Sequence, residues 1–339
     1  MSPRRPIEVV GGGVAGLALG LALRRAGVPV TVFEAGDFPR HRVCGEFIAG
    51  LDDPTRETLG LDPFLADAVP HRSVTYAIRG RKLPPFELPA IAWGISRYTL
   101  DARLAAAFEA AGGDLRRRTR VPEAPAPEGR VFAAGRHRQG PFWVGLKIHT
   151  RGLEMDSDFE VHLGDRAYVG VSRVEGGAVN VCGLFAPLAA GTGLPLFLAT
   201  LQYTGLGDLC ERLRASDLDL ASCCTCAAPL GDRRVRPTDR LRLGDACATI
   251  PPFTGNGLAM ALQGAASALE PLRAYAEGRD SWTHARRVVA GRQERRFRRR
   301  LLFASLLHPF LLGRRGQALL SGLARAQLLP FRTLYGVLH

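Results

Sequence analysis

The start of this chain constrains its fold more than any other feature. Ile7-Glu8-Val9-Val10 reads as a short buried strand and runs directly into Gly11-Gly12-Gly13-Val14-Ala15-Gly16. Leu17 to Ala26 follows as a good helix former stopped by Gly27, and Val28 to Phe33 reads as a second strand ending at Glu34. Strands joined through a helix run parallel, so this stretch predicts a β-turn-α-β unit. In Gly11-x-Gly13-x-x-Gly16 the first glycine permits the tight turn and the second lets a pyrophosphate approach the backbone. The third allows close packing of helix on strand. Gly11, Gly13, Val14, Ala15 and Gly16 are therefore the candidate phosphate cradle, with the positive end of the helix aimed at the phosphates. Glu34, 18 residues beyond the last glycine, is placed to accept from adenosine ribose hydroxyls and to disfavour a 2′-phosphate. FAD or NAD fits such a site better than NADP, and this unit alone does not separate the two.

With 339 residues, 46% of them hydrophobic, the chain can bury two domains or one elaborated domain, and a collagen-like or disordered polymer is excluded. No run approaches the roughly 18–20 apolar residues of a membrane span. Met1 to Pro6 lacks the apolar core of a signal peptide, and seven cysteines make an odd count. A reducing cytoplasm is the expected location. The net charge of +13 is concentrated: residues 286–339 hold twelve arginines and one acid, Glu294. In that tail Arg295-Arg296-Phe297-Arg298-Arg299-Arg300 precedes the apolar run Leu301 to Leu312. This pattern suits an anionic membrane surface, hence a peripheral place on its inner face, and equally suits terminal helices packing apolar sides on the body. No nucleic-acid motif accompanies the charge, which disfavours nucleic acid as a partner.

Further along, Leu100 to Ala111 predicts a helix, Val121 to Pro127 a Pro-rich loop, and residues 141–187 an antiparallel sheet. Arg240 to Gly244 reads as a strand and Gly255 to Leu272 as a helix. Between these last two lie Gly244-Asp245 and Pro251-Pro252-Phe253-Thr254-Gly255-Asn256-Gly257. This pairing resembles the second FAD motif of the geranylgeranyl reductase-like branch of the aromatic-hydroxylase superfamily, the group A flavoprotein monooxygenases. Arg40-His41-Arg42-Val43-Cys44-Gly45-Glu46 is similar to its Arg/Lys-x-Cys-Gly segment, and Arg97-Tyr98-Thr99-Leu100-Asp101 to its Arg-x-x-Leu-Asp segment. The resemblance implies non-covalent FAD, with NADPH or NADH as electron donor. It places Asp245 on the ribityl chain and Gly244, Pro252, Gly255, Asn256 and Gly257 in a turn that aims a helix at the flavin pyrimidine. Arg42 is implied near the pyrophosphate, Cys44 and Gly45 near the isoalloxazine, and Arg97 near the adenosine end.

The implied fold is α/β: a Rossmann-type FAD-binding domain with an inserted antiparallel β-sheet substrate domain and C-terminal helices. The FAD-binding domain takes residues 1–75, 95–140 and 232–285, the substrate domain 76–94 and 141–231, and the basic, apolar helical tail 286–339. The sequence departs from the family after the helix ending at Ala111. The connection there is short, and Ala133-Ala134-Gly135 replaces the usual Ala-Asp-Gly. Tyr168 to Arg173 keeps the Tyr of a Tyr-x-Trp-x-Phe-Pro segment but loses the rest, and the Trp-x-Trp-x-Ile-Pro of flavin-dependent halogenases is missing. The implied function is FAD-dependent oxidation or reduction of an apolar or amphipathic small molecule, by hydroxylation or by C=C reduction or dehydrogenation. A flavin-binding protein without turnover and an NAD-dependent Rossmann dehydrogenase are the alternatives.

Few residues announce catalysis. No Ser-His-Asp order and no His-Glu-x-x-His is present. Cys223-Cys224-x-Cys226 lacks a second ligand pair, so no metal is expected and these cysteines read as buried small residues. Cys44 is a redox or substrate-proximal thiol or a small residue beside the flavin. Lys147 and His149 are candidates for orienting a polar group or moving a proton, against the alternative of sheet residues facing solvent.

Overall fold

The computed structural model describes residues 4–135, 142–187, 191–229 and 239–339. Two β-sheets divide the strands between them. In the smaller, five strands run in the order β14–β8–β1–β2–β7. β1 (Ile7–Val10) and β2 (Val30–Phe33) are parallel and joined by helix α1 (Val14–Arg25). β7 (Asp114–Arg116) lies beyond β2, and β8 (Arg130–Phe132) and β14 (Leu241–Arg242) lie beyond β1, all parallel. β2 begins two residues later than Val28 because the helix stop extends that far. Gly27 turns at φ 77°, and the Val28 N–H still donates to Leu23 O.

Every residue of α1 from Val14 to Leu23 is buried, as a helix must be when it lies between a sheet and other helices. Its neighbours are β2, α4 (Arg97–Ala110) and α7 (Gly257–Ala276). Ser96 caps α4, its hydroxyl accepting from the Thr99 N–H at 3.0 Å.

The larger sheet has the order β13–β9–β12–β11–β10–β4–β6–β3, with β5 paired to β4. It takes up β3 (Phe47–Ile48), β4 (Val69–Ile78), β5 (Arg81–Lys82) and β6 (Phe86–Gly94), and so begins earlier in the chain than residue 76. Helices α2 (Asp53–Leu59) and α3 (Asp62–Leu65) come between β3 and β4 in the chain and pack on the helices of the first domain, α2 on α1 and α7 and α3 on α4. β9 (Phe142–Arg151), β10 (Phe159–Gly164), β11 (Ala167–Arg173), β12 (Val179–Phe185) and β13 (Asp217–Pro229) complete it, antiparallel except where β10 meets β4. The expected boundaries near residues 140 and 231 lie outside the described residues.

Alternation along these strands sorts the side chains. Leu146, Ile148, Val169, Val171 and Val181 pack under α5 (Gly193–Tyr203) and α6 (Gly207–Arg214). The opposite face carries Lys147, His149, Ser172, Asn180 and Cys182 in register on three neighbouring strands, and passes into an apolar half around Leu163, Tyr168 and Leu184. That half is covered by the chain's last three helices, α8 (Trp282–Leu312), α9 (Arg314–Arg325) and α10 (Phe331–Leu338). The architecture is thus a Rossmann-type parallel sheet, a second and mainly antiparallel sheet, and C-terminal helices. Among the described residues, no helix is long and apolar enough to cross a membrane.

Candidate functional site

The glycines of the first turn fall into two classes. A Cβ on Gly11, which sits at φ 114°, would lie 2.4 Å from Ala133 O, and one on Gly16 would lie 2.0 Å from Gly11 O. These two exist for turn and packing. A Cβ on Gly13, the N-cap of α1, would meet nothing nearer than Arg97 at 3.7 Å. The helix start at Val14 and Ala15 therefore presents its N–H groups to open space, the arrangement an anionic ligand requires.

A second cradle converges on the first. Gly244, at φ 57°, begins a single 3₁₀ turn, Gly244–Ala246, beyond β14. Its Cβ position is 3.4 Å from the Cβ of Ala15 on α1 and 3.6 Å from the Cβ of Ala261 on α7. The N-terminal ends of both helices thus meet at Gly244 and Asp245. Another 3₁₀ turn, Pro252–Thr254, leads to Gly255 at φ 69° and to Asn256, the N-cap of α7. A Cβ on Gly257 would meet nothing within 4 Å, and Gly45 is equally open. A depression lined by Gly244, Asp245, Gly257 and Met260 joins the two turns. On its far side Asn256 Nδ2 donates to Leu338 O, and His339 Nε2 lies 3.1 Å from Thr254 O.

Glu34 lies at the end of β2, buried, with each oxygen used twice. Oε2 accepts from the Gly12 N–H at 2.9 Å and faces Arg42 at 3.4 Å; Oε1 accepts from the Gly36 N–H at 2.8 Å and Arg40 at 2.6 Å. Burial alone would raise its carboxyl; the Arg42 and Arg40 charges and the two backbone donors outweigh this and hold it below the usual range. A ribose hydroxyl reaches Glu34 only where one of these arginines gives way. Arg42 continues to Asp101 at 3.1 Å, and Asp101 takes Arg97 through two bonds of 2.7 Å. Arg97 therefore stands beside Gly13 with its charge near Cys44, at the junction of the glycine turn and the Cys44–Gly45 segment rather than beside Glu34.

The Cys44–Glu46 segment is clamped by its carbonyls. Asn180 Nδ2 donates to Cys44 O at 3.0 Å, Ser172 Oγ to Gly45 O at 2.9 Å and the Ile95 N–H to Glu46 O at 3.1 Å. Glu46 itself adopts φ 53° and is fully buried, a strained choice for a residue with a Cβ. Its carboxylate gathers three partners: Lys147 Nζ at 3.1 Å, His149 Nε2 at 2.5 Å and the Arg97 N–H at 2.9 Å. Lys147 Nζ also lies 3.2 Å from Nδ1 of His41. Burial would raise the Glu46 carboxyl, but the His149 hydrogen bond and the Lys147 charge prevail and lower it. Lys147 and His149 are buried, which removes the reading of solvent-facing sheet residues. Beside this cluster opens a cavity of about 370 Å³ lined by His41, Tyr98, His149, Arg151, Glu175 and Asp219, among others.

Glu46, His41 and Asp101 carry no role in the sequence reading, although Glu46 directly follows the Cys-Gly pair and Asp101 ends the Arg-x-x-Leu-Asp segment. Burial pushes the Cys44 thiol up despite the nearby Arg97. The expectation for Cys223, Cys224 and Cys226 is corrected. They are half-buried on β13, the last strand of the sheet, where one side of each side chain lacks a covering strand. Among the described residues no cluster of His, Cys, Asp and Glu has the makings of a metal site.

Residues 9–43 match a family described as an NAD(P)-binding Rossmann-like domain. In sequence the chain is similar to the menaquinone reductase of Mycobacterium tuberculosis, with 31% identity over 113 residues. That match takes in 32% of this chain and only 28% of the relative. In structure it is similar to Klebsiella pneumoniae HpxO, solved with FAD and uric acid, at a TM-score of 0.77 and 16% identity over 98% of this chain and 95% of the other. It is also similar to a geranylgeranyl bacteriochlorophyll reductase-like protein from Thermoplasma acidophilum, at a TM-score of 0.73 and 17% identity over 98% and 94%. The chain has the fold of the aromatic-hydroxylase-type flavoproteins, with the geranylgeranyl reductase-like branch among them.

Proposed function

We propose that this chain is an FAD-dependent oxidoreductase that reduces or dehydrogenates a carbon–carbon bond of an apolar small molecule, with NADPH or NADH as electron donor. The observation that carries the reading is the meeting of Ala15 and Ala261 at Gly244, which brings the N-terminal parts of two helices together. An NAD site of the simple dehydrogenase type needs the first of these ends and has no use for the second. The residues present fit FAD: open glycine positions at 13, 45 and 257, Arg97 and Arg42 for the pyrophosphate, and the start of α7 for the negative charge of a reduced ring. When bound, FAD supplies the two-electron chemistry.

The remaining work falls to the chain's own residues. Gly45, held by Ser172 through its carbonyl, offers a flat backbone surface. The sheet face beyond it turns apolar at Leu163, Tyr168 and Leu184, where the last three helices pack on it. Behind Gly45 the Glu46 carboxylate reaches the cavity by two routes, directly through His149 and through Lys147 to His41. A proton passed inward to the Glu46 carboxylate is thereby held beside the Gly45 edge, away from bulk water. The same cluster argues against a flavin carrier without turnover, which needs no buried acid.

Reduction is preferred to hydroxylation because the sequence likeness is to a menaquinone reductase, whereas likeness in fold leaves both chemistries open. The test is anaerobic. Purified protein is expected to be yellow, to release FAD, and after reduction with NADPH or NADH to be reoxidised without oxygen by an alkene or polyprenyl quinone with saturation of one of its carbon–carbon double bonds. A quinol with its side chain unchanged would overturn reduction of a carbon–carbon bond. Reoxidation that requires oxygen and yields an oxygenated product would overturn reduction in favour of hydroxylation. A colourless protein that takes up no FAD would overturn both.

A further inference from the structure

Helix α8 has two sides with opposite duties. One stripe, Phe297, Leu301, Ala304 and His308, is buried. Phe297, Leu301 and Ala304 pack with Ile250 and Met260 of the second cradle, and His308 stacks on Phe253. The opposite side carries Leu302, Phe303, Leu306 and Phe310, which are 57%, 40%, 63% and 40% exposed. At 100° per residue these four fall on one face, and Arg295, Arg298 and Arg299 fall on the same face one to two turns earlier. The face is therefore cationic at its start and apolar at its end. Two more exposed leucines, Leu319 and Leu328, follow on and just beyond α9.

We infer that this face of α8 docks on an anionic lipid surface. An exposed row of large apolar side chains needs a cover, and the arginines indicate which kind. Two other arginines of the tail are neutralised by acids within the protein, Arg296 by Asp52 and Arg314 by Asp165. Among the described residues no acid pairs with Arg295, Arg298 or Arg299. Two copies meeting through this face would bring those unpaired cations together, whereas lipid phosphates would neutralise them. A helix lying in the interface plane buries its apolar side at the boundary between headgroups and acyl chains and keeps arginines at phosphate level. Because the inner side of α8 rests on the Phe253 turn, the docked helix would also set the second cradle next to the bilayer.

Co-sedimentation of the full chain with vesicles tests this without reference to turnover. Binding is expected to vesicles of phosphatidylglycerol mixed with phosphatidylcholine, to weaken with salt, and to be minimal on phosphatidylcholine alone. Replacing Arg298 and Arg299 by Gln should weaken partition about fivefold for each arginine removed. Leu302→Asp/Leu306→Asp should weaken it at least tenfold, and both positions are exposed enough to leave the fold intact, which circular dichroism checks. Equal sedimentation of wild type and variants would overturn the proposal. So would a stable wild-type dimer, dissociated by Leu302→Asp/Leu306→Asp, that ignores vesicles; the face would then be a contact between copies.

Discussion

Nε2 of His149 lies 2.5 Å from Oε2 of Glu46, 103 residues earlier in the chain. The contact exists only because the antiparallel sheet docks on the Cys44–Glu46 segment, so it forms where the two halves of the protein meet. Glu46→Gln keeps the size and the acceptor oxygen but cannot hold a proton in exchange with His149. Flavin content is expected to stay unchanged while turnover falls about 10²- to 10⁴-fold. A variant with full turnover would remove Glu46 from the chemistry.

Lys147 is the other half of that charge balance, and both it and Glu46 are fully buried. Lys147→Met leaves the carboxylate without its cation and is expected to cost about 3–5 kcal/mol, read as a lower urea midpoint. Glu46→Gln/Lys147→Met removes both charges and should recover most of the loss. A double variant no more stable than Lys147→Met would mean that the lysine contributes by packing alone.

Gly13 and Gly16 stand three residues apart and should fail differently. Gly16→Ala drives a methyl into Gly11 O, so it is expected to destabilise the fold by about 1–3 kcal/mol. Gly13→Asp has room for its side chain but sets a negative charge at the start of α1, where the pyrophosphate belongs. It should fold normally and purify without flavin. Absorbance at the flavin band against thermal midpoint separates the two; a yellow Gly13→Asp protein would relocate the phosphate site.

What the chain discloses in advance follows the range of the interactions. The glycine turn is legible because its demands are local: a positive φ at Gly11, a contact at Gly16, a helix start between them. Lys147 and His149, two apart on a strand, can be read as sharing one face. Which face that is depends on how the sheet docks, and no nearby residue records it. Glu46 is less legible still, since its partners lie about a hundred residues away and its left-handed backbone has no glycine to mark it. The tail shows its charge and apolarity plainly. Its division into an inner stripe on the Phe253 turn and an outer stripe in solvent emerges only once α8 is laid on the body.

Cys44 is half-buried near Arg97, and its desolvation is the larger influence, pushing its thiol up. The residue should be a protonated thiol at neutral pH and a poor nucleophile. Cys44→Ala is expected to retain flavin and turnover within about threefold, and iodoacetamide should leave Cys44 unmodified in the native protein. Rapid alkylation at Cys44 with loss of activity would restore a redox role for it.

His71 is fully buried between Phe47, Phe159 and the β6 backbone at Gly94. Burial brings its imidazole down to about 4 from an ordinary 6.5, with Asp158 only partly opposing. The unfolded chain therefore takes up a proton near pH 6.5 that the folded protein refuses until about 4. Stability falls as pH drops through that window, because there the unfolded state binds more protons. The carboxyls of Glu34, Glu46 and Glu160 are held low instead. Their contribution is complete above the ordinary carboxyl range and is lost only as pH falls below it, so the two effects are separable. Between pH 7 and pH 4.5 His71 is expected to account for up to about 3 kcal/mol of lost stability. His71→Met fills the same space without titrating. Its urea midpoint should decline less steeply over that range, while His339, also brought down to about 4, maintains part of the slope in both proteins. Parallel curves for wild type and His71→Met would show that His71 is hydrated enough to titrate normally, and the packing of Phe47 on Phe159 around it would have to be looser than the 4.0 Å stack observed.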